Sequence, residues 1–142
     1  MNDKTTWLIF SVNTAKYALP SALVQEIVTD EKIFPLPFVP DFVAGLINRH
    51  GEPYTVIDPA IIFGEQAQNT SLYLILNDTD QNCLRITDIY EFVTIPQKEM
   101  ASFNGLVNNT LFMGSLKING VEVTVLDSNA IIEKTRIDIE NS

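Results

Sequence analysis

The stretch GLINRHGEPYTVID, at residues 45–58, reads as a strand, a tight turn and a second strand. It returns sixty-nine positions later, without a gap, as GSLKINGVEVTVLD at residues 114–127. Both glycines, the Thr before the apolar pair and the final Asp coincide in the two copies. Because the period is long and there are only two copies, the repeat predicts a duplicated half-domain rather than a solenoid.

The second copy carries the stronger hairpin signal. Asn119-Gly120 favours a type I′ turn, in which both central residues need φ > 0. In the strand that follows, residues 121–125, valines alternate with polar residues and therefore share one face. In the first copy His50-Gly51 replaces Asn-Gly and is a poorer turn former. We therefore expect something other than turn propensity to shape that loop.

Short strands precede each hairpin. They are predicted at residues 7–12, 17–19 and 26–28, and again at residues 72–76, 83–86 and 91–93, where the first and third strands repeat at an offset of sixty-five. Short strands at this spacing favour a sandwich or barrel, and closing five strands into a barrel removes exposed edges. We predict a mostly β fold of two five-stranded β-barrel subdomains with short helices. They form one domain over residues 1–142, with halves at roughly 7–64 and 71–134, an arrangement that allows strands to be exchanged between the barrels.

The connections have their own signals. Apolar residues alternate with prolines at residues 33–40, which excludes a helix or central strand and predicts an extended surface arm. Asp58 and Asp127 are predicted N-caps. The helices that they begin are predicted at residues 60–63 and 130–134. A mobile loop is predicted at residues 96–109, and a frayed tail from Asp138.

Composition excludes several classes of protein. A chain near ~150 residues buries about 70% of its unfolded surface, so 142 residues suffice for a core. The net charge is −9, and the nine Lys and Arg residues never cluster, which makes nucleic acid and anionic membranes poor partners. No signal peptide or run of ~18 apolar residues is present, so we expect the cytoplasm. Cys83 is the single cysteine and is expected to be a buried thiol.

The residues that support catalysis are scarce. His50 is the single histidine and has no nucleophile elbow to serve, and there is no second His or Cys pair for zinc. Residues 77–80 are the one candidate calcium loop, but they lack the glycine and the distal Glu. As a catalytic pair, Asp58 and Asp127 are less favoured than as helix caps. We predict a protein that is not an enzyme and has no cofactor or metal.

The chain resembles the CheW-like family, chemotaxis coupling proteins that are related to the regulatory domain of CheA kinases. The resemblance covers residues 7–133 and rests on FSVNTAKYALP, Val24-Gln25-Glu26-Ile27, LPFVPDFVAG, the hairpin at 45–58 and its repeat. It implies two five-stranded barrels and a non-catalytic scaffold or adaptor. The implied partners are a CheA-type histidine kinase and the cytoplasmic tip of a methyl-accepting chemoreceptor, with no nucleic acid, no membrane insertion and recruitment to membrane-associated receptor arrays.

The resemblance also assigns a partner-binding site. Leu8 and Val24 match apolar, receptor-facing positions, and Glu26 matches the acidic position after them. The hairpin supplies the remaining matches. The candidate partner-binding residues are Leu8, Val24, Glu26, Ile27, Gly45, Asn48, Arg49, His50 and Gly51.

The hairpin departs from the family pattern, which usually reads Asn-Leu-Arg-Gly. This chain reads Asn48-Arg49-His50-Gly51, so the arginine has moved one place and period two directs it to the other face. One alternative is therefore a divergent paralogue with a different partner. Another is a free-standing β-module that binds a small ligand or carbohydrate on exposed aromatic residues, although these mostly alternate as core positions. Its candidate platform residues are Trp7, Tyr17, Tyr54 and Tyr73.

Overall fold

The structure is a computed structural model and describes residues 4–103 and 111–141. Within them the strands are β1 Lys4–Val12, β2 Ala15–Pro20, β3 Val24–Thr29, β4 Val43–Arg49, β5 Glu52–Ile57, β6 Leu72–Leu76, β7 Asn82–Ile86, β8 Asp88–Pro96, β9 Ala101–Ser102, β10 Phe112–Ile118 and β11 Val121–Leu126. The α-helices are α1 Pro59–Ile62 and α2 Ser128–Glu140, and single 3₁₀ turns occupy Ser21–Leu23 and Gln97–Glu99.

The strands form two sheets, in the orders β8-β1-β2-β11-β10-β9 and β3-β6-β7-β5-β4. The predicted mostly β fold with few helices is therefore confirmed. Closure into two five-stranded barrels is not shown, because the sheets have six and five strands and no ladder joins the edges of either sheet in the described parts of the chain. Pairing between distant strand edges leaves no local pattern in a sequence, which is why closure was overestimated.

The two sheets have the same topology, and each sheet contains strands from both halves of the chain. The six-stranded sheet takes β1 and β2 from the first half and its other strands from the second half. The five-stranded sheet takes β6 and β7 from the second half and its other strands from the first half. Phe34 of the arm pairs with Leu46 of β4, as β9 pairs with β10 in the other sheet. Neither half of the chain contains a complete sheet.

Both faces of the central strands are buried. Because alternate side chains of a strand point to opposite faces, the buried residues form three separate cores. Trp7 and Ile9 of β1 pack inside the curl of the six-stranded sheet. Leu8 and Phe10 point the other way, into the core between the sheets. Tyr73 of β6 packs inside the five-stranded sheet. Burial of each such side chain stabilises the fold by roughly 1.5–3 kcal/mol, so the interior of both curled sheets contributes as well as the layer between them.

The repeated glycines have a steric reason. In each hairpin the register shifts just before the glycine, at Gly45 and at Gly114. A Cβ at Gly45 would collide with the carbonyl oxygen of Phe34, and one at Gly114 with that of Ala101. A neighbouring segment therefore crosses both hairpins at the bulge, and only glycine leaves room for its backbone.

Both helices begin at the predicted caps. The carboxylate of Asp58 accepts from the N–H of Ala60 at 3.1 Å, and that of Asp127 accepts from the N–H of Ala130 at 3.0 Å. Helix α2 runs to Glu140, so the prediction of a frayed tail was wrong for residues 138–140, and Ser142 lies outside the described part of the chain. The helix extends because it buries Ile131 and carries i,i+3 and i,i+4 ion pairs.

Three smaller predictions have different outcomes. The loop predicted at residues 96–109 contains the 3₁₀ turn Gln97–Glu99 and β9, and its residues 104–110 lie outside the described part of the chain. Cys83 is buried, and this burial raises the pKa of its thiol to about 12. In the segments that the structure covers, no helix is long and apolar enough to cross a membrane.

Candidate partner-binding surface

A β-bulge in β3 determines which face of the sheet each of its side chains occupies. Val24 lies opposite Leu76 and Glu26 opposite Ile75, so Gln25 is the extra residue. Val24 and Ile27 consequently share the face that borders the core between the sheets, and Glu26 points to the opposite face. Val24 packs against that core, whereas Ile27 is 37% exposed. We call Val24 and Ile27 the β3 rim.

Glu26 forms an ion pair with Arg49 across the gap between the two edge strands of the five-stranded sheet, β3 and β4. We call this gap, and its counterpart in the six-stranded sheet, the mouth of the sheet. A guanidinium nitrogen of Arg49 lies 2.5 Å from the carboxylate of Glu26, and another lies 3.0 Å from that of Glu31. Arg49 is on the same face of β4 as Ile47, inside the curl. Because β3 and β4 are the two edge strands of this sheet, the ion pair links edges that no backbone ladder joins. Arg49 thus unites the candidate residues on β3 with those of the hairpin.

The ion pair is partly open to solvent. Hydrogen bonding to Glu26 is the largest cause that raises the pKa of Arg49. The Arg49 side chain is 15% exposed and that of Glu26 46% exposed. An approaching partner can therefore reach Glu26 more easily than Arg49, and we expect solvent to limit the pair to roughly 1 kcal/mol of stability.

The hairpin turn is held by a side chain. Both central residues have positive φ, 55° at His50 and 82° at Gly51, as a type I′ turn requires. The side-chain oxygen of Asn48 accepts from the N–H of Gly51 at 2.9 Å. This local side-chain bond supports a turn whose His-Gly pair is a poorer turn former than Asn-Gly. It leaves His50 exposed at the tip.

Two of the predicted contact residues lie below the surface. The Leu8 side chain has no exposed area and belongs to the core between the sheets, so a partner cannot touch it. Gly45 is buried where the arm crosses β4. We therefore assign both residues a structural role and leave them out of the contact surface.

Sequence reasoning missed an exposed aromatic residue next to Leu8. Phe92 of β8 lies opposite Leu8 in the ladder and is 56% exposed. Its neighbour Tyr90 is 49% exposed, and the amine of Lys16 lies 4.4 Å from its ring centre. The repeat contained the signal, because Phe92 falls on Ile27 when residues 91–93 are aligned with 26–28. Phe92 and Tyr90 form what we call the β8 rim.

The platform of exposed aromatic residues that a carbohydrate-binding module would need is absent from the proposed set. Trp7 is 1% exposed, Tyr17 7% and Tyr73 1%, and Tyr54 packs partly buried against the core of the five-stranded sheet. The ring nitrogen of Trp7 donates to the carbonyl of Ile95 at 2.9 Å. That alternative is wrong for these residues. Within residues 4–103 and 111–141, no group of three or more His, Cys, Asp or Glu side chains could hold a metal ion.

Comparison with known proteins agrees with this architecture. The model of the CheW-like domain matches residues 6–136. The chemotaxis protein CheW of Helicobacter pylori is 28% identical over 131 residues, which are 88% of this chain and 79% of that protein. The crystal structure of the scaffolding protein TtCheW from Thermoanaerobacter tengcongensis superposes with a TM-score of 0.79 at 24% identity, covering 87% of this chain and 88% of that one. The chain therefore belongs to the CheW-like family, whose members are non-catalytic scaffold proteins of chemotaxis.

Proposed function

We propose that this protein couples a methyl-accepting chemoreceptor to a CheA-type histidine kinase in the cytoplasm. The family match over residues 6–136 supports a scaffold role. The observation that carries the assignment of the surface is the junction of the β3 rim with the ion pair of Glu26 and Arg49. It combines an apolar strip, which supplies affinity, with charged groups that select the partner.

The proposed contact residues are those that are at least partly exposed. Ile27 and the partly buried Val24 supply apolar contact area, and Glu26 supplies a carboxylate that is nearly half exposed. The hairpin tip adds a polar turn, held by Asn48, beside Arg49. In the described structure these residues lie on β3, β4 and the turn after β4, so rigid strands position the surface.

Pull-down with the organism's own kinase and receptor tip tests the proposal. We expect the wild-type chain to retain at least one of them, and Ile27→Asp and Glu26→Lys to weaken retention by about tenfold or more. Glu91→Lys is the matched control, because Glu91 is the counterpart of Glu26 on β8 and is also exposed. Equal retention of the wild type and Glu26→Lys would overturn the assignment of this surface.

A divergent member of the family with another protein partner is the second candidate. The observation that favours it is the exposed His50 at the tip, where the family pattern has arginine. His50→Arg restores the planar cationic donor that histidine lacks at neutral pH. If the natural partner is a standard kinase or receptor, we expect His50→Arg to leave binding equal or stronger. Loss of binding to the natural partner in this variant would favour a divergent partner.

A further inference from the structure

The arm at residues 33–40 exposes three large apolar side chains. Phe34 is 48% exposed, Leu36 36% and Phe38 92%. Covering an exposed Phe or Leu side chain is worth roughly 1.5–3 kcal/mol. Exposed large apolar side chains grouped on one short segment mark a candidate interaction surface. None of these residues belongs to the β3 rim, the β8 rim or the hairpin tip.

The backbone at Phe38 holds its side chain away from the protein. Its φ is 58°, in the left-handed region that bulky residues rarely occupy. Such strain persists where the surrounding chain fixes it, and it often accompanies function. Pro37 and Pro40 flank the residue and restrict the arm. The two prolines restrict the backbone around Phe38, which lowers the entropy that the arm loses on binding.

An apolar hollow of about 290 Å³ lies beside the arm. It is lined by Phe34, Leu46, Ile47, Asn48, Gly51 and Pro53. Phe34 belongs to both the arm and the hollow, so the two features form one surface. Phe38 does not fill the hollow of its own chain, because nearly all of its surface is exposed.

The charges around the arm select the occupant. Residues 33–40 carry no charge, whereas Lys32 precedes them and Asp41 follows them. Both flanking residues are exposed, and the Lys32 amine lies 5.1 Å from the centre of the Phe34 ring. When two copies of the arm meet antiparallel about a two-fold axis, each Lys32 faces the Asp41 of the other copy. A surface that is complementary to itself in this way fits a second copy of the chain.

We propose that the arm is a two-fold homodimer interface in which Phe38 of each copy enters the hollow of the other. The eight residues of the arm and the five further residues that line the hollow are fewer than the ~20–30 residues per partner of a standard interface. The net charge of −9 on each chain also opposes association. The dimer is consequently weak and forms at high local concentration, such as the concentration in an ordered array.

Sedimentation velocity over a concentration series up to about 1 mM tests self-association, since a Kd near 1 mM corresponds to about −4 kcal/mol. Salt at about 0.15 M limits long-range repulsion to roughly 8 Å. We expect a reversible dimer in the wild type. Phe38→Asn should weaken it at least tenfold without straining the loop, because asparagine tolerates positive φ. The matched control is Val121→Thr, at a site that is 56% exposed and lies outside the arm, and it should leave the dimer unchanged.

A charge exchange tests the antiparallel arrangement. Lys32→Asp alone and Asp41→Lys alone should each weaken the homodimer, because like charges then face one another. An equimolar mixture of these two variants should form a heterodimer, since every facing pair is again of opposite sign. Failure of the mixture to associate while the wild type dimerises would overturn the antiparallel arrangement.

Two further results would overturn the proposal. One is a wild-type chain that stays monomeric throughout the concentration series. The other is a monomer in which Phe38 becomes protected from solvent only after the kinase or receptor tip is added. That second result would assign the arm to a partner protein. The hollow shares Asn48 and Gly51 with the candidate partner-binding residues, whereas Glu26, the residue tested by pull-down, does not line the hollow.

Discussion

The hairpin of β4 and β5 ends in an ionic cluster, whereas its counterpart of β10 and β11 ends in an apolar one. Arg49 lies between Glu26 and Glu31 in the first half. In the second half the repeat places Ile118 at the position of Arg49, and Ile118 packs against the core inside the six-stranded sheet. The backbone is the same in both places, including a turn with two positive φ values. The same strand-turn-strand backbone therefore occurs in both halves, whereas the side chains at the mouth of each sheet differ.

The capping aspartates that follow the two hairpins also differ, because Asp58 has more polar partners than Asp127. Asp58 is 1% exposed, and its carboxylate accepts from the backbone N–H of Gln68 at 3.0 Å and from its side-chain amide at 2.8 Å. The guanidinium of Arg85 lies 3.8 Å away. Asp127 is half-buried and accepts from the N–H of Ala130. The linker between the halves is thus fastened to the first copy, which also carries the candidate partner surface.

The largest effect is expected from the glycines that the two copies share. Gly45→Ala introduces both a collision with the carbonyl of Phe34 and a strained φ of 145°, so we expect a loss of about 4 kcal/mol in the free energy of unfolding. Gly114→Ala adds the collision with Ala101 alone and should lose about 2 kcal/mol. Urea denaturation measures both.

Gly51→Ala separates collision from strain. A Cβ there has nothing within 4 Å, but φ is 82°, so the loss should be about 1 kcal/mol. If Gly45→Ala and Gly51→Ala lose equal stability, the arm does not pack tightly against β4 at Gly45. The steric explanation for the glycines that the two halves share would then be wrong.

The capping aspartates should respond unequally to asparagine. The Asp58→Asn variant would still cap α1, but its side-chain amide would present an N–H₂ group to donors of Gln68, and we expect a loss of about 2 kcal/mol. Asp127→Asn should change stability by less than about 0.5 kcal/mol, since asparagine caps a helix as well as aspartate does. Thermal or urea unfolding of the two variants gives the difference directly. Equal losses would show that the network around Asp58 contributes nothing beyond its cap.

The ionic and apolar mouths should differ in their response to salt. Arg49→Gln is expected to lose at most about 1 kcal/mol, and the loss should shrink at about 1 M salt, because partly exposed pairs are screened. Ile118→Gln should lose a similar amount through reduced apolar burial, with no such decrease in salt. Urea titrations at low and high salt compare the two. A loss at Arg49 that does not depend on salt would mean that its aliphatic stem, rather than its charge, links β3 to β4.

Local signals in the sequence predicted the local structure well. The alternation of valines and the Asn-Gly turn located the second hairpin, the repeat located the first, and the Asp caps located the starts of both helices to within about two residues. The alignment of residues 72–76 with 7–12 was wrong by one place. In the structure Trp7 lies opposite Val93 and Tyr73 opposite Val28, so Tyr73 is the counterpart of Trp7 rather than of Leu8. A shift of one residue exchanges the faces of a strand, and both faces here are apolar, so the pattern could not set the register.

Long-range contacts account for the other differences. The sequence predicted that the shifted arginine would point away from the family position, but it could not show that β3 and β4 approach each other. Arg49 still meets Glu26, because both side chains lie inside the same curl. Helix α2 was underestimated for a similar reason: burial of Ile131 and Thr135 against the body of the protein stabilises a segment of mixed propensity. The candidate residues on β3 and the hairpin could thus be proposed from the sequence, whereas their junction required the structure.

The smallest effect is expected at the central pair of the turn, where His50-Gly51 of the first copy corresponds to Asn119-Gly120 of the second. His50→Asn gives the first hairpin the Asn-Gly pair of the second, and asparagine adopts positive φ more readily than histidine. We therefore expect a gain of a few tenths of a kcal/mol in urea denaturation, with Asn119→His as the reciprocal variant that loses as much. Because His50 is exposed and Asn48 already holds the turn, nothing else in the described structure should oppose this gain. A loss of stability in His50→Asn would reveal a contact of the imidazole, whereas unchanged stability with weaker partner binding would mean that His50 is kept for recognition rather than for the turn.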